Sequence, residues 1–246
     1  MIADASTFQV VVRFVAPLVW RNDQKIANKL DGFASTEAGS ALDMLKAAEL
    51  TDDPKLRRLF FRHAMDEARH AQLFRAAARR IGVCARSGGS EYNLIHATRQ
   101  NLFESMGLVR FVAFVYLAER RGEVQFRALR DHFADRPELA DLFARIGKDE
   151  KFHVSYTRKL LRDWKRQGRG REVVQALWYV RLARARDTWL RAGRMLGDLL
   201  SRVCMSVIYL LVLPPFVILS RWRDPARRGW KARTLPTSIA AARRQF

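Results

Sequence analysis

Apolar residues recur every three or four positions through most of the chain, and the strict alternation that marks a strand is nearly absent. The periodicity predicts a helix over about 25–50. "TDDP" then offers Asp53 as an N-cap and Pro54 at the first helical position, so a second helix is expected from there to about 80. The glycines of "IGVCARSGGS" break it, and 91–104 reads as a connection with some helical content. A long helix follows over about 105–133, "ADRP" stops it, and Pro137 opens a fourth helix to about 166. Four long helices with a long middle connection predict an all-α bundle with one crossover. An apolar segment, 1–24, precedes the bundle at 25–166, and "RQGRGR" at 166–171 reads as a hinge into a different part, 167–246.

Polar residues interrupt the apolar stripes at chosen places. "MDEARHAQLF" at 65–74 and "KDEKFHVSYT" at 148–157 each contain Asp-Glu-x-x-His. Positions three apart share a helix face, so Glu67 pairs with His70 and Glu150 with His153. Both pairs lie on the apolar side: Phe60, Ala64, Ala71 and Phe74 flank the first, and Phe143, Ile146, Val154 and Leu161 the second. Satisfied hydrogen bonds in a core would explain one such pair. With ten Glu and five His in the chain, chance supplies roughly 0.2 of these motifs, so two facing a core call for a shared cause. The other two helices also offer inward carboxylates: Glu37, in line with Leu30, Ala34, Ala41 and Met44, and Glu119, on the stripe of Phe111, Val112, Val115 and Tyr116. Glu123, one turn beyond, is a spare that could replace Glu119, guide a proton or pair with an Arg, the last being the simplest role. His63, one turn before Glu67, reads equally as a neighbour of the site, a core residue or a surface one. Tyr116 reads first as packing, with hydrogen-bonding or redox work near the site as the alternative.

This set resembles the ferritin-like carboxylate-bridged di-iron proteins, whose signature is one Glu from each of two helices and Glu-x-x-His from each of the other two. The resemblance covers about residues 25–165, and the order Glu37, Glu67-x-x-His70, Glu119, Glu150-x-x-His153 is most similar to the demethoxyubiquinone hydroxylase and aldehyde-deformylating oxygenase branches, with rubrerythrins more distant. It implies a ferritin-like four-helix bundle holding two Fe ions, with Mn or a mixed Fe/Mn pair as variants. Hard carboxylates with one imidazole per metal suit those ions. Glu67 and Glu150 would bridge, Glu37 and Glu119 would be terminal, and His70 and His153 would each hold one metal. The four carboxylates would be the catalytic centre, balancing two divalent charges. In related monooxygenases an Asp before the Glu bonds the His of the opposite motif, which would pair Asp66 with His153 and Asp149 with His70; solvent exposure of both Asp residues is the equal alternative. O2, an electron donor and an apolar substrate are the implied partners.

Charge changes the picture of the remainder. Residues 1–157 carry 24 Lys+Arg against 20 Asp+Glu, whereas 158–246 carry 21 against 5. The second part must therefore meet something anionic or apolar. Within it, "VCMSVIYLLVLPPFVILS" (203–220) has no charged residue. A spanning helix needs about 20 apolar residues, and Pro214-Pro215 is expected to break this run after about eleven. Basic residues on both flanks, with Arg191, Arg194 and Arg202 before and Arg223 after, favour a re-entrant or interfacial segment at the cytoplasmic face of a membrane. Tyr209 and Trp222 suit the interface, and five of the six Trp lie in this part: Trp164, Trp178, Trp189, Trp222 and Trp230. Burial against the bundle or in a homodimer is the plainer alternative. Nucleic acid is disfavoured, because the apolar run has no use on a duplex. Cys84 and Cys204 form no metal-ligand spacing and no disulfide framework, which suits a reducing compartment. No basic stretch precedes the first apolar run, so no signal peptide is expected.

The combined expectation is a membrane-associated di-iron oxygenase or hydroxylase acting on a lipid-like, quinone-like or fatty substrate. A rubrerythrin- or ferritin-like peroxidase or ferroxidase is the first rival, and a non-catalytic membrane adaptor the second. The absence of a C-x-x-C pair separates the chain from a complete rubrerythrin.

Overall fold

The computed structural model describes residues 15–17, 19–81 and 102–223. Among the described residues there is no strand, and the chain is all-α. Four long helices form its core: α1 (Asp23–Leu50), α2 (Pro54–Arg80), α4 (Leu108–His132) and α5 (Pro137–Trp164), with a single-turn α3 (Leu102–Met106) ahead of α4. The N-terminal ends are set by local chemistry. Asn22 Oδ1 accepts the Lys25 N–H at 2.9 Å, and Asp53 Oδ1 accepts the Lys55 and Leu56 N–H groups at 2.7 and 3.3 Å. Pro54 and Pro137 occupy the first turns of α2 and α5, where a missing N–H costs nothing. The single helix expected over about 105–133 is instead divided at Gly107, which takes φ +72° and forces a turn between α3 and α4.

Two apolar clusters fix the topology. One joins the end of α1 (Met44, Ala47, Ala48) to the starts of α2 (Leu56, Phe60) and α4 (Val109, Phe111, Val112) and the end of α5 (Leu161, Trp164). The other joins the start of α1 (Ile26, Leu30) to the ends of α2 (Phe74, Ala78) and α4 (Phe126, Leu129) and the start of α5 (Leu142, Phe143). Hence α1 and α2 are antiparallel, α4 and α5 are antiparallel, and α2 and α4 run the same way. Residues 82–101, which hold most of the connection expected over 91–104, lie outside the described residues, Cys84 among them. Ala16 and Trp20 from the described part of the N-terminal segment brace the second cluster, with Trp20 edge-on to Phe133 and Phe143. Between the two clusters lies a polar layer.

The chain divides into two compact units, Met1–Arg184 and Ala185–Phe246. The first takes in the opening turns of α6 (Gly170–Val207), part of what composition assigns to the basic tail. Val173, Ala176 and Val180 are buried in the first cluster, and Arg184 stacks on Phe114 while donating to its carbonyl at 3.3 Å. Trp164 is buried in that cluster too, so it is not one of the interfacial tryptophans expected of it. The expected hinge is a kink within Lys165–Arg169, where Gly168 leaves the helical conformation at φ +86° and separates two helices.

The second unit, considered alone, is helical from Ala185 to Arg223, through a π-helical turn (Ile208–Val212) and α7 (Leu213–Arg223). The break expected at Pro214-Pro215 does not occur. Proline lacks an N–H and its ring crowds the carbonyl four residues back, here Leu210 and Leu211. Both lie in the wide turn, where the Leu213 N–H reaches five residues back to the Ile208 carbonyl, and the helix accommodates the pair. The helical run ending at Ser220 is the one described helix long and apolar enough, by length and composition, to cross a membrane. From Trp189 to Trp222 the large apolar side chains are exposed, Tyr209 at 69% and Trp222 at 82% among them, and Arg191, Arg194 and Arg202 are exposed as well. The Arg223 side chain and residues 224–246, including Trp230, lie outside the described residues.

Candidate metal centre

The polar layer gathers carboxylates and imidazoles from all four long helices. Glu37 comes from α1, His63, Glu67 and His70 from α2, Glu119 from α4, and Glu150 and His153 from α5. All seven are buried, and the three histidines are fully so. Their ligand atoms form two groups, each within 4.8 Å: Glu37, Glu67, His70 and Glu150 in one, and His63, Glu67, Glu119 and His153 in the other. Glu67 belongs to both. Glu150 spans them differently, with Oε1 3.6 Å from His70 Nδ1 and Oε2 3.6 Å from His153 Nδ1. The six residues selected from the sequence thus meet in one place.

The outer nitrogens are held across the two motifs. His70 Nε2 lies 3.2 Å from Asp149 Oδ2, and His153 Nε2 lies 3.5 Å from Asp66 Oδ2. Arg69 ties the two Asp residues together, its Nη2 2.6 Å from Asp66 Oδ1 and 3.1 Å from Asp149 Oδ2. The Asp residues are therefore not simply solvated. This arrangement turns each inner Nδ1 towards the carboxylates. Glu123 is not in the cluster; it accepts from Arg127 Nη2 at 2.7 Å. Tyr116 packs, half-buried, against the first apolar cluster. The tyrosine that reaches the site is Tyr156, whose hydroxyl sits 2.6 Å from His63 Nδ1. His63 and Tyr156 are the site residues that sequence reasoning left unassigned or unnoticed. The spacing of four between His63 and Glu67 was the available signal.

Protons take up the charge that the carboxylates cannot carry together. Burial, and then the charge of Glu67, holds Glu37 well above the usual carboxylate range. Burial lifts Glu67 to about 7 and raises Glu150 well above its ordinary value, with Glu119 adding to both. Burial would raise Glu119 as well, but the adjacent Glu150 carboxyl and the His153 and His63 imidazoles outweigh it and hold this carboxyl well below the ordinary range. Burial would lower His153, yet Asp66 and Glu119 raise it to about 9. Burial lowers His63 and His70. Such a set is costly for a core that needs only to be stable.

Among the described residues, five buried side-chain polar atoms nevertheless have no hydrogen-bond partner: His63 Nε2, Glu67 Oε1, His70 Nδ1, Glu150 Oε2 and His153 Nδ1. All five belong to the two groups, and each is a ligand-type atom. Buried polar atoms are almost always paired, so five orphans on one spot fit the donor set of bound cations. No family model, curated protein or solved structure matches the chain.

Proposed function

We propose that this protein is a di-iron oxygenase or hydroxylase on a ferritin-like four-helix bundle, working at the cytoplasmic face of a membrane on an apolar substrate. The observation that carries this reading is the pair of overlapping ligand groups, with five orphaned donor atoms between two apolar clusters. Glu37 and His70 would hold one metal and Glu119 and His153 the other, with Glu67 and Glu150 between them. Hard oxygens with imidazole suit Fe or Mn. Iron held there would supply electrons that reduce O2 as the substrate is oxygenated, and an external donor would have to return them.

The chain's own residues do the rest. The apolar clusters on both sides of the layer exclude water. Asp66, Asp149 and Arg69 fix two imidazoles. Ala185–Arg223, with exposed apolar side chains between arginines, would bind an anionic bilayer and keep the site near a lipid-like substrate.

The test is purification with iron, elemental analysis, and O2 uptake after reduction in the presence of lipid extract. Two irons per chain, O2 uptake and an oxygenated lipid product are expected. Comparison of lipid masses between a deletion strain and its parent identifies the product. Rapid oxidation by peroxide with no organic product would replace the reading with a peroxidase or ferroxidase, and absence of bound Fe and Mn would leave a membrane adaptor.

A further inference from the structure

His63 is the buried imidazole that the six-residue pattern does not require. It is fully buried, and Nε2 makes no hydrogen bond although it lies 3.2 Å from Glu67 Oε1 and 3.5 Å from Glu119 Oε1. A core histidine held by hydrogen bonds alone would direct an Nε2–H at one of those oxygens. Here the nitrogen has the proximity without the direction, as the orphaned Nδ1 atoms of His70 and His153 do. Its ring stacks on His153 at 3.6 Å, so two imidazoles stand side by side. Its other nitrogen is anchored by the buried Tyr156 hydroxyl at 2.6 Å. With Nδ1–H donating to the tyrosine oxygen, Nε2 is left as a bare lone pair facing the carboxylates. Tyr156 does for His63 what Asp66 and Asp149 do for the other two rings, with a neutral group in place of a charged one.

From this geometry we infer that His63 Nε2 is a seventh ligand, to the metal held by Glu119 and His153, and that Tyr156 is its positioning residue. This inference rests on the two-metal reading. The two positions are then chemically unlike. One has two imidazoles, His63 and His153, and the other has one, His70. Nitrogen-rich sites favour Fe²⁺ over Mn²⁺ more strongly than oxygen-rich ones, so the pair can be loaded unequally from a mixture.

Anaerobic titration of metal-free protein with Fe²⁺, and Mössbauer spectra of the ⁵⁷Fe-loaded protein, test this without any turnover. Wild type should take up two irons and show two doublets of equal area. His63→Ala should lose one doublet or bind its second iron on the order of 100-fold more weakly. His63→Gly should regain that iron when imidazole is added. Tyr156→Phe should keep both irons, with the second bound roughly tenfold more weakly and one doublet shifted. If the alanine variant fails to fold, pulsed EPR of the wild type in a mixed-valence state decides instead. Three coordinated histidine nitrogens support the inference, and two overturn it. Wild-type protein with two irons whose affinity and spectrum survive His63→Ala also overturns it, leaving the two-metal reading intact. Wild-type protein that binds no metal removes that reading and the inference with it.

Discussion

At the scale of single residues, stability and function pull apart at Glu67. Its carboxyl is buried and raised to about 7, so ionisation at pH 8 costs the metal-free fold. Glu67→Gln keeps the shape and removes the charge. Metal-free Glu67→Gln should be more stable than metal-free wild type at pH 8 by on the order of 1 kcal/mol, while two-metal binding is lost. Urea unfolding with and without iron checks both halves; a metal-free variant less stable than wild type would show that the carboxylate is structural. Asp66→Asn and Asp149→Asn act one step out. Each should weaken metal binding about 10–100-fold with little change in the metal-free melting temperature. The residues that could be read from sequence were those whose signal lies within one helix, as in Glu-x-x-His. His63 was visible only as a histidine on the right face, and its partner Tyr156 is 93 residues away, a pairing that no local pattern encodes.

At the scale of elements, helix ends at Asn22, Asp53 and Pro137 follow from capping chemistry, and those helices begin close to where the sequence places them. The misreadings involve glycine and proline in unusual backbone. The break at Gly107 needs a positive φ that an isolated glycine does not announce. Pro214-Pro215 would end a regular helix, and only the preceding π-helical turn admits it. Gly122 is different: it lies inside α4 with ordinary dihedrals, and a Cβ there would sit 3.8 Å from Glu150 Oε2. Helix propensity alone favours Gly122→Ala by about 1 kcal/mol. That substitution fits at van der Waals contact and should raise the melting temperature while leaving two metals bound. Gly122→Leu has no room beside Glu150 and should displace it, lowering metal content. Equal metal content in the Leu variant would show that the space beside Glu150 is not constrained.

At the scale of the whole molecule, charge and protons govern behaviour. The chain carries net +20, concentrated beyond residue 157, and its second unit exposes apolar side chains between arginines. Full-length protein should sediment with anionic vesicles, more weakly as salt rises, and a chain ending at Arg184 should not. Binding by the shortened chain equal to that of the full chain would place the lipid-seeking surface elsewhere. The buried site sets the response to pH. Glu67, ordinarily 4.5 and about 7 in the fold, contributes stability that is complete below about 4.5 and lost as pH rises through 7. His153, ordinarily 6.5 and about 9 in the fold, contributes stability that is complete below about 6.5 and lost as pH rises through 9. Burial lowers His63 and His70, so above pH 7 they are largely neutral in both states and do not offset this loss. Metal-free protein should therefore lose on the order of 3 kcal/mol between pH 7 and 9, a fall of several degrees in melting temperature. Metals reverse the sign, because ligands must shed protons to bind them, and affinity grows as pH rises. Melts in detergent at pH 7, 8 and 9, with iron and with chelator, should diverge steadily. Parallel curves would mean that the protons of the polar layer and the metals do not exchange at one site.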